Sequence, residues 1–189
     1  MNKKRLFVAV GLPDSLIAEL DQLQKALKPF ARDAKWVKAS GIHLTLKFLG
    51  YVDQEKISTI SEALLSIANK YSAEYVRSKG CGFFPNARRP NVLWVGVESS
   101  LQPLQQAIEE EMFKFGFEKE KRAFNPHLTL ARFKDPKGLF ALAKEVEQYT
   151  EKIFGEFTAK DFTLYESILR PLGAEYHALQ KFSLNKTDG

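Results

Sequence analysis

The chain of 189 residues carries one cysteine, three histidines and no long hydrophobic run, and each scarcity excludes something. A lone Cys81 cannot form an intrachain disulfide framework, and such usage fits a reducing cytosol, so a cytoplasmic location is expected. No window approaches the ~18 uncharged apolar residues of a membrane-crossing helix, and no membrane partner is expected. The basic start, Met1 to Arg5, has the character of a signal-peptide n-region. The apolar run behind it, Leu6 to Val10, is too short for an h-region and reads as a strand. No glycine-rich phosphate loop or dinucleotide fingerprint is present, which leaves no reason to expect a nucleotide cofactor.

What is present is an ordinary globular composition, 44% hydrophobic and 27% charged, enough for a sizeable core. The net charge of +5 hints at an anionic partner without locating it. Arg5 to Val10 reads as a strand, followed by a helix capped by Asp14 or Ser15 with Leu16, Ile17, Leu20, Leu23 and Leu27 at helical spacing. A short extended piece falls at Trp36-Val37, and Ile42 to Leu49 alternates as a strand ending at Gly50. Asp53 then caps a helix bearing Ile57, Ile60, Leu64 and Ile67, and Tyr75 to Lys79 is a strand leading into a loop, Gly80 to Pro90.

The same order then repeats. Val92 to Val97 is a strand, Leu101 to Phe115 a helix, His127 to Phe133 a strand and Gly138 to Tyr149 a helix. Two late strands, Phe157 to Glu166 and Glu175 to Leu184, close the chain across a turn at Arg170 to Gly173. Each half carries the same tetrapeptide in its middle strand: His43-Leu44-Thr45-Leu46 and His127-Leu128-Thr129-Leu130, 84 residues apart. One repeat at nearly half the chain length implies duplication, because a solenoid needs more copies. The expectation is a single bilobal α+β domain over 1–189, pseudo-symmetric between 1–90 and 91–189, without a linker.

Alternation puts His43 and Thr45 on one strand face and the leucines on the other, and likewise for His127 and Thr129. Two imidazoles flanking one site supply a general base and a general acid near neutral pH. Two threonine hydroxyls can donate to the non-bridging oxygens of an anion between them. That combination suits in-line displacement at phosphorus without a metal. One such tetrapeptide is commonplace on an exposed strand; two identical copies in equivalent places, using two of three histidines, are not. A metal site is the other use of paired histidines, but neither motif contains an Asp, Glu or Cys to complete a shell.

The tetrapeptides match the His-x-Thr-x signatures of the 2H phosphoesterases. RLFVAVGLP, WVKASGIHLTLKFLG, FPNARRPNVLWVGVE, FNPHLTLARF and LYESILRPLGAEYHAL extend the resemblance along the whole chain, towards the RNA 2′,3′-cyclic phosphodiesterases, also called 2′-5′ RNA ligases. This resemblance implies two lobes, each a mainly antiparallel sheet with helices on its outer face, and motif strands facing a central cleft. It implies metal-free hydrolysis of a terminal 2′,3′-cyclic phosphate, on RNA ends or nucleotides, to a 2′-phosphate. His127 would activate water, His43 would protonate the departing 3′ oxygen, and Thr45 and Thr129 would hold phosphate oxygens. Arg132 would contact the phosphate. It lies an odd five residues beyond His127, which a regular strand would send to the leucine face unless a bulge re-aims it.

Other readings stay open: an RNA-end-binding module without turnover, or reversible ATP-independent 2′-5′ ligation, since no nucleotidyl-transfer lysine motif is present. No obligate protein partner is evident. Arg88 and Arg89 with Phe83 and Phe84 are candidates for RNA contact, against a solvated loop over core aromatics. His177 reads as a surface histidine and Cys81 as a small packed apolar residue. The motif segments 35–48 and 121–134 carry three and four basic residues and no acid, so the excess positive charge is expected around the paired strands.

Overall fold

The first apolar run forms β1 (Lys3–Val10), and Leu6 to Val10 are all buried, as expected of a strand covered on both faces. The computed structural model describes residues 2–135, 137–171 and 173–185. Behind β1 come α1 (Asp14–Leu27), β2 (Lys35–Trp36), β3 (Leu44–Asp53), α2 (Ile57–Ala68), β4 (Glu74–Phe84) and β5 (Val92–Ser99). They are followed by α3 (Gln102–Lys114), β6 (His127–Arg132), α4 (Phe140–Val146), β7 (Ile153–Ala159), β8 (Asp161–Arg170) and β9 (Gly173–Ser183). The architecture is α+β, an antiparallel sheet with four helices.

Several boundaries differ from the sequence reading. Neither Asp14 nor Ser15 caps α1. Pro13 does, its carbonyl accepting the N–H groups of Leu16 and Ile17 at 3.0 and 3.1 Å, while Asp14 sits in the first turn where its charge favours the helix dipole. Asp53 caps nothing with its side chain; it faces Lys3 at 3.8 Å. Strand β3 does not end at Gly50. That glycine has a φ of +71° beside a bulge at Leu49, so the strand kinks and continues. Gly80 to Phe84 extend β4 rather than forming a loop. The late strand drawn over Phe157 to Glu166 is two strands broken at Lys160. Leu172, in the expected last turn, lies outside the described residues.

The sheet order is β7-β4-β5-β6-β3-β1-β8-β9, with β2 added beside β6. At its centre β3 and β6 meet at one rung, Leu44 opposite Leu128. The halves of the chain exchange strands about that rung: β4 joins β5, and β8 and β9 join β1. Strands β7 and β8 are six positions apart in the order, roughly 29 Å in a flat sheet. Lys160 alone joins them, and one linking residue reaches about 7.6 Å. The sheet is therefore curled until its ends approach, and Ala73 N–H reaches the carbonyl of Asn185 at 2.9 Å near the same end.

The helix stripes face this sheet. Leu16, Leu20, Leu23 and Leu27 of α1, Ile60, Leu64 and Ile67 of α2, and Leu104, Ile108 and Met112 of α3 are all buried in one core with the motif leucines. Each such side chain contributes about 1.5–3 kcal/mol. No helix among the described residues is long and apolar enough to cross a membrane.

Close strand packing requires Gly96 of β5, the partner of His127, since a Cβ there would lie 2.6 Å from the Lys79 carbonyl oxygen. Gly96→Ala is expected to cost about 1–3 kcal/mol, read as a lower urea midpoint; an unchanged midpoint would refute this packing.

Candidate active site

The central rung fixes the arrangement of the two motifs. Leu44 faces Leu128 in antiparallel register, a rung whose continuation would bring His43 towards Thr129 and Thr45 towards His127, although the two strands pair at that rung alone. The motif leucines are fully buried on the helix side, while both histidines and both threonines are half-buried on the other. The histidines are thus less exposed than a solvent-facing strand position suggests.

Each imidazole is held in the same way. Nδ1 of His43 lies 2.8 Å from the carbonyl of Gly41, and Nδ1 of His127 lies 2.8 Å from that of Asn125, two residues upstream in both. A carbonyl only accepts, so the neutral ring carries its proton on Nδ1 and leaves the Nε2 lone pair free. His43 stacks on Phe7 at 4.6 Å and meets the edge of Tyr176 at 5.0 Å. His127 meets Phe84 edge-on at 5.0 Å. Burial pushes both rings below the ordinary value of 6.5, against the opposing pull of the Gly41 and Asn125 carbonyls. For His127, the positive charges of Arg132 and Arg122 push further in the same direction.

A cavity of about 1090 Å³ opens beside the motifs, lined by Thr45, His127, Arg132, Phe48, Phe84 and Arg122 among others; His43 and Thr129 do not line it. Arg132 reaches it because β6 bulges: Leu93 pairs with Ala131 and Trp94 with Thr129, so Leu130 is skipped and the parity flips. Phe48, the residue equivalent to Arg132 in the first half, is also exposed there; its apolar type gave no signal beyond that spacing. Phe84 lines the cavity, but Phe83 is buried. Arg88 and Arg89 belong to a turn held by the Asn86 side chain and do not line the cavity. His177 is exposed on β9, 4.0 Å from Glu175. Cys81 is buried, with its thiol pushed up to about 12.

Comparison with known proteins bears on this geometry. The family model described as LigT like Phosphoesterase matches twice, at residues 10–94 and 95–176, one match per motif. The chain belongs to the LigT-like phosphoesterase family. A protein of Methanocaldococcus jannaschii named RNA 2′,3′-cyclic phosphodiesterase is 35% identical over 180 residues, covering 94% of this chain and 99% of that one. One of the same name from Archaeoglobus fulgidus is 36% identical over 182 residues, with coverage of 94% and 99%. The solved structure of TT0787 from Thermus thermophilus superposes with a TM-score of 0.82 at 30% identity, covering 96% and 98% of the two chains. That of E. coli LigT complexed with 3′-AMP gives 0.78 at 25% identity, covering 98% and 100%.

Among the described residues, no group of three or more His, Cys, Asp and Glu side chains could hold a metal ion. The charge of the family-matching segments needs one correction. Lys47, counted among the bases near the anion, borders the cavity but is buried and already paired. Its Nζ donates to Glu109 at 2.7 Å and to the Glu118 carbonyl at 2.8 Å, while Glu109 also takes the Glu120 N–H at 3.3 Å. This pair pins the 118–120 loop at the cavity rim instead of offering free charge. Lys47→Met should cost about 3 kcal/mol by stranding the Glu109 carboxylate, and Lys47→Met/Glu109→Leu should recover most of it. Urea titration of both variants checks this; a single variant as stable as the parent would contradict it.

Proposed function

We propose that the protein hydrolyses terminal 2′,3′-cyclic phosphates of RNA or nucleotides to 2′-phosphates by acid–base catalysis between His43 and His127. The observation that carries the reading is the pair of Nδ1-tethered imidazoles, each with a free Nε2, on motif strands that meet at the Leu44–Leu128 rung. The relatives named RNA 2′,3′-cyclic phosphodiesterase support it over nearly the full length of the chain.

The roles follow the resemblance, with His43 the acid and His127 the base. Burial, the larger influence, opposes a proton on both rings, and Arg132 and Arg122 oppose it further on His127. Neutral His127 then takes a proton from water as its oxygen bonds to phosphorus. The P–O3′ bond breaks, and His43 passes its proton to the departing O3′. Thr45, Thr129 and Arg132 donate to the phosphate oxygens, where negative charge builds.

Product analysis on nucleoside 2′,3′-cyclic phosphates with chelator present tests reaction, regiochemistry and metal independence together. The expected product is the 2′-phosphate, and His43→Ala or His127→Ala should each lose roughly 10²-fold or more of turnover. Because both rings of the free enzyme lie below 6.5, kcat/KM should follow a bell with its maximum on the acid side of that value. Binding without turnover would leave an RNA-end-binding module, and a 3′-phosphate product would reverse the assignment of the leaving oxygen.

A further inference from the structure

Both motif strands bulge at the same place. On β3, Val8 pairs with Lys47 and Ala9 with Thr45, which skips Leu46. On β6, the skipped residue is Leu130. These are the second leucines of the two tetrapeptides, 84 residues apart. Each bulge shifts the alternation by one, so the residue five beyond each histidine turns from the leucine side to the cavity: Phe48 on one strand, Arg132 on the other.

A buried glutamine reaches each bulge from the helix side. Gln24 of α1, 1% exposed, donates from Nε2 to the Leu130 carbonyl at 3.0 Å and to that of Val37 at 2.7 Å. Gln105 of α3, 8% exposed and bordering the cavity, donates from Nε2 to the Leu46 carbonyl and to the Glu109 carboxylate, both at 3.4 Å. An amide inside an apolar helix stripe is unfavourable unless bonded, so these glutamines stand where leucine would pack more cheaply. The relation is crossed: the helix of each half holds the motif strand of the other.

We propose that Gln24 and Gln105 are positioning residues that lock the two bulges, Gln24 aiming Arg132 and Gln105 aiming Phe48 into the active-site cavity. Loss of the Gln24 donor lets the Leu130 bulge relax, and a one-residue slip returns Arg132 to the leucine face. The inference extends the proposed phosphodiesterase reading, but its test is phosphate binding, which does not require turnover.

The experiment is a double-mutant cycle on inorganic phosphate affinity, measured by calorimetry on folded protein, with Gln24→Met (which keeps chain length) and Arg132→Ala. Each single variant should weaken phosphate binding about tenfold or more, and the double variant should be no weaker than Arg132→Ala alone. Gln105→Met, acting on a strand that presents Phe48, should leave phosphate affinity unchanged. It should lower kcat/KM for a cyclic nucleotide only while Phe48 is present, with no further loss in Phe48→Ala. Multiplying effects in the Gln24 cycle, or parental phosphate affinity in Gln24→Met, would overturn the proposal. Should Gln24→Met not fold, the Gln105 and Phe48 cycle decides alone, additive losses overturning it. A wild-type protein that binds phosphate but turns over no cyclic nucleotide would sink the functional reading while leaving the Gln24 cycle decisive.

Discussion

The contact on which the rest depends is one antiparallel rung, Leu44 against Leu128, where the motif strands meet at the middle of the sheet. It brings the two histidine- and threonine-bearing motifs together at one point, something neither strand could do alone. The leucines that form the rung anchor it to the core, fully buried among the helix stripes. The curl of the sheet and the exchange of strands between the chain's halves support the same centre, since β4 lies beyond β5 on one flank and β8 and β9 beyond β1 on the other.

Symmetry sets the positions and its breaking sets the chemistry. The two Nδ1 tethers are equal at 2.8 Å, so both rings keep the same nitrogen, Nε2, unprotonated when neutral. Their neighbours are unequal: Phe7 and Tyr176 enclose His43, whereas Arg132 and Arg122 lie near enough to His127 to oppose its protonation. Two like residues thereby sit in unlike surroundings, which is what the proposed acid and base require.

Much of this was legible in the sequence because the motif pattern is local and doubled. A repeated His-x-Thr-x on alternating strands announces its own geometry, and the helix stripes announce the core. Arg132 was half legible: parity argued against it, and only the bulge at Leu130 resolves the conflict. Lys47 misled, because a charge count cannot see that Glu109 has already taken the lysine. Gln24 and Gln105 were missed since a polar residue within an apolar stripe reads as an interruption until its acceptor is known. The break at Lys160 was missed for a related reason: the alternation of Phe157 and Ala159 shifts phase at Lys160-Asp161 before Phe162 and Leu164, which a bulge would also do, and the chain's departure to the other end of the sheet is a tertiary event.

The central claim is that backbone carbonyls hold both imidazoles in the tautomer with a free Nε2. Nitrogen-15 NMR of the histidine rings at about pH 7.5, above the ordinary histidine value, measures it directly. The account predicts that His43 and His127 both appear as neutral rings with a protonated Nδ1 and an unprotonated Nε2. Either ring carrying its neutral-state proton on Nε2 would contradict it.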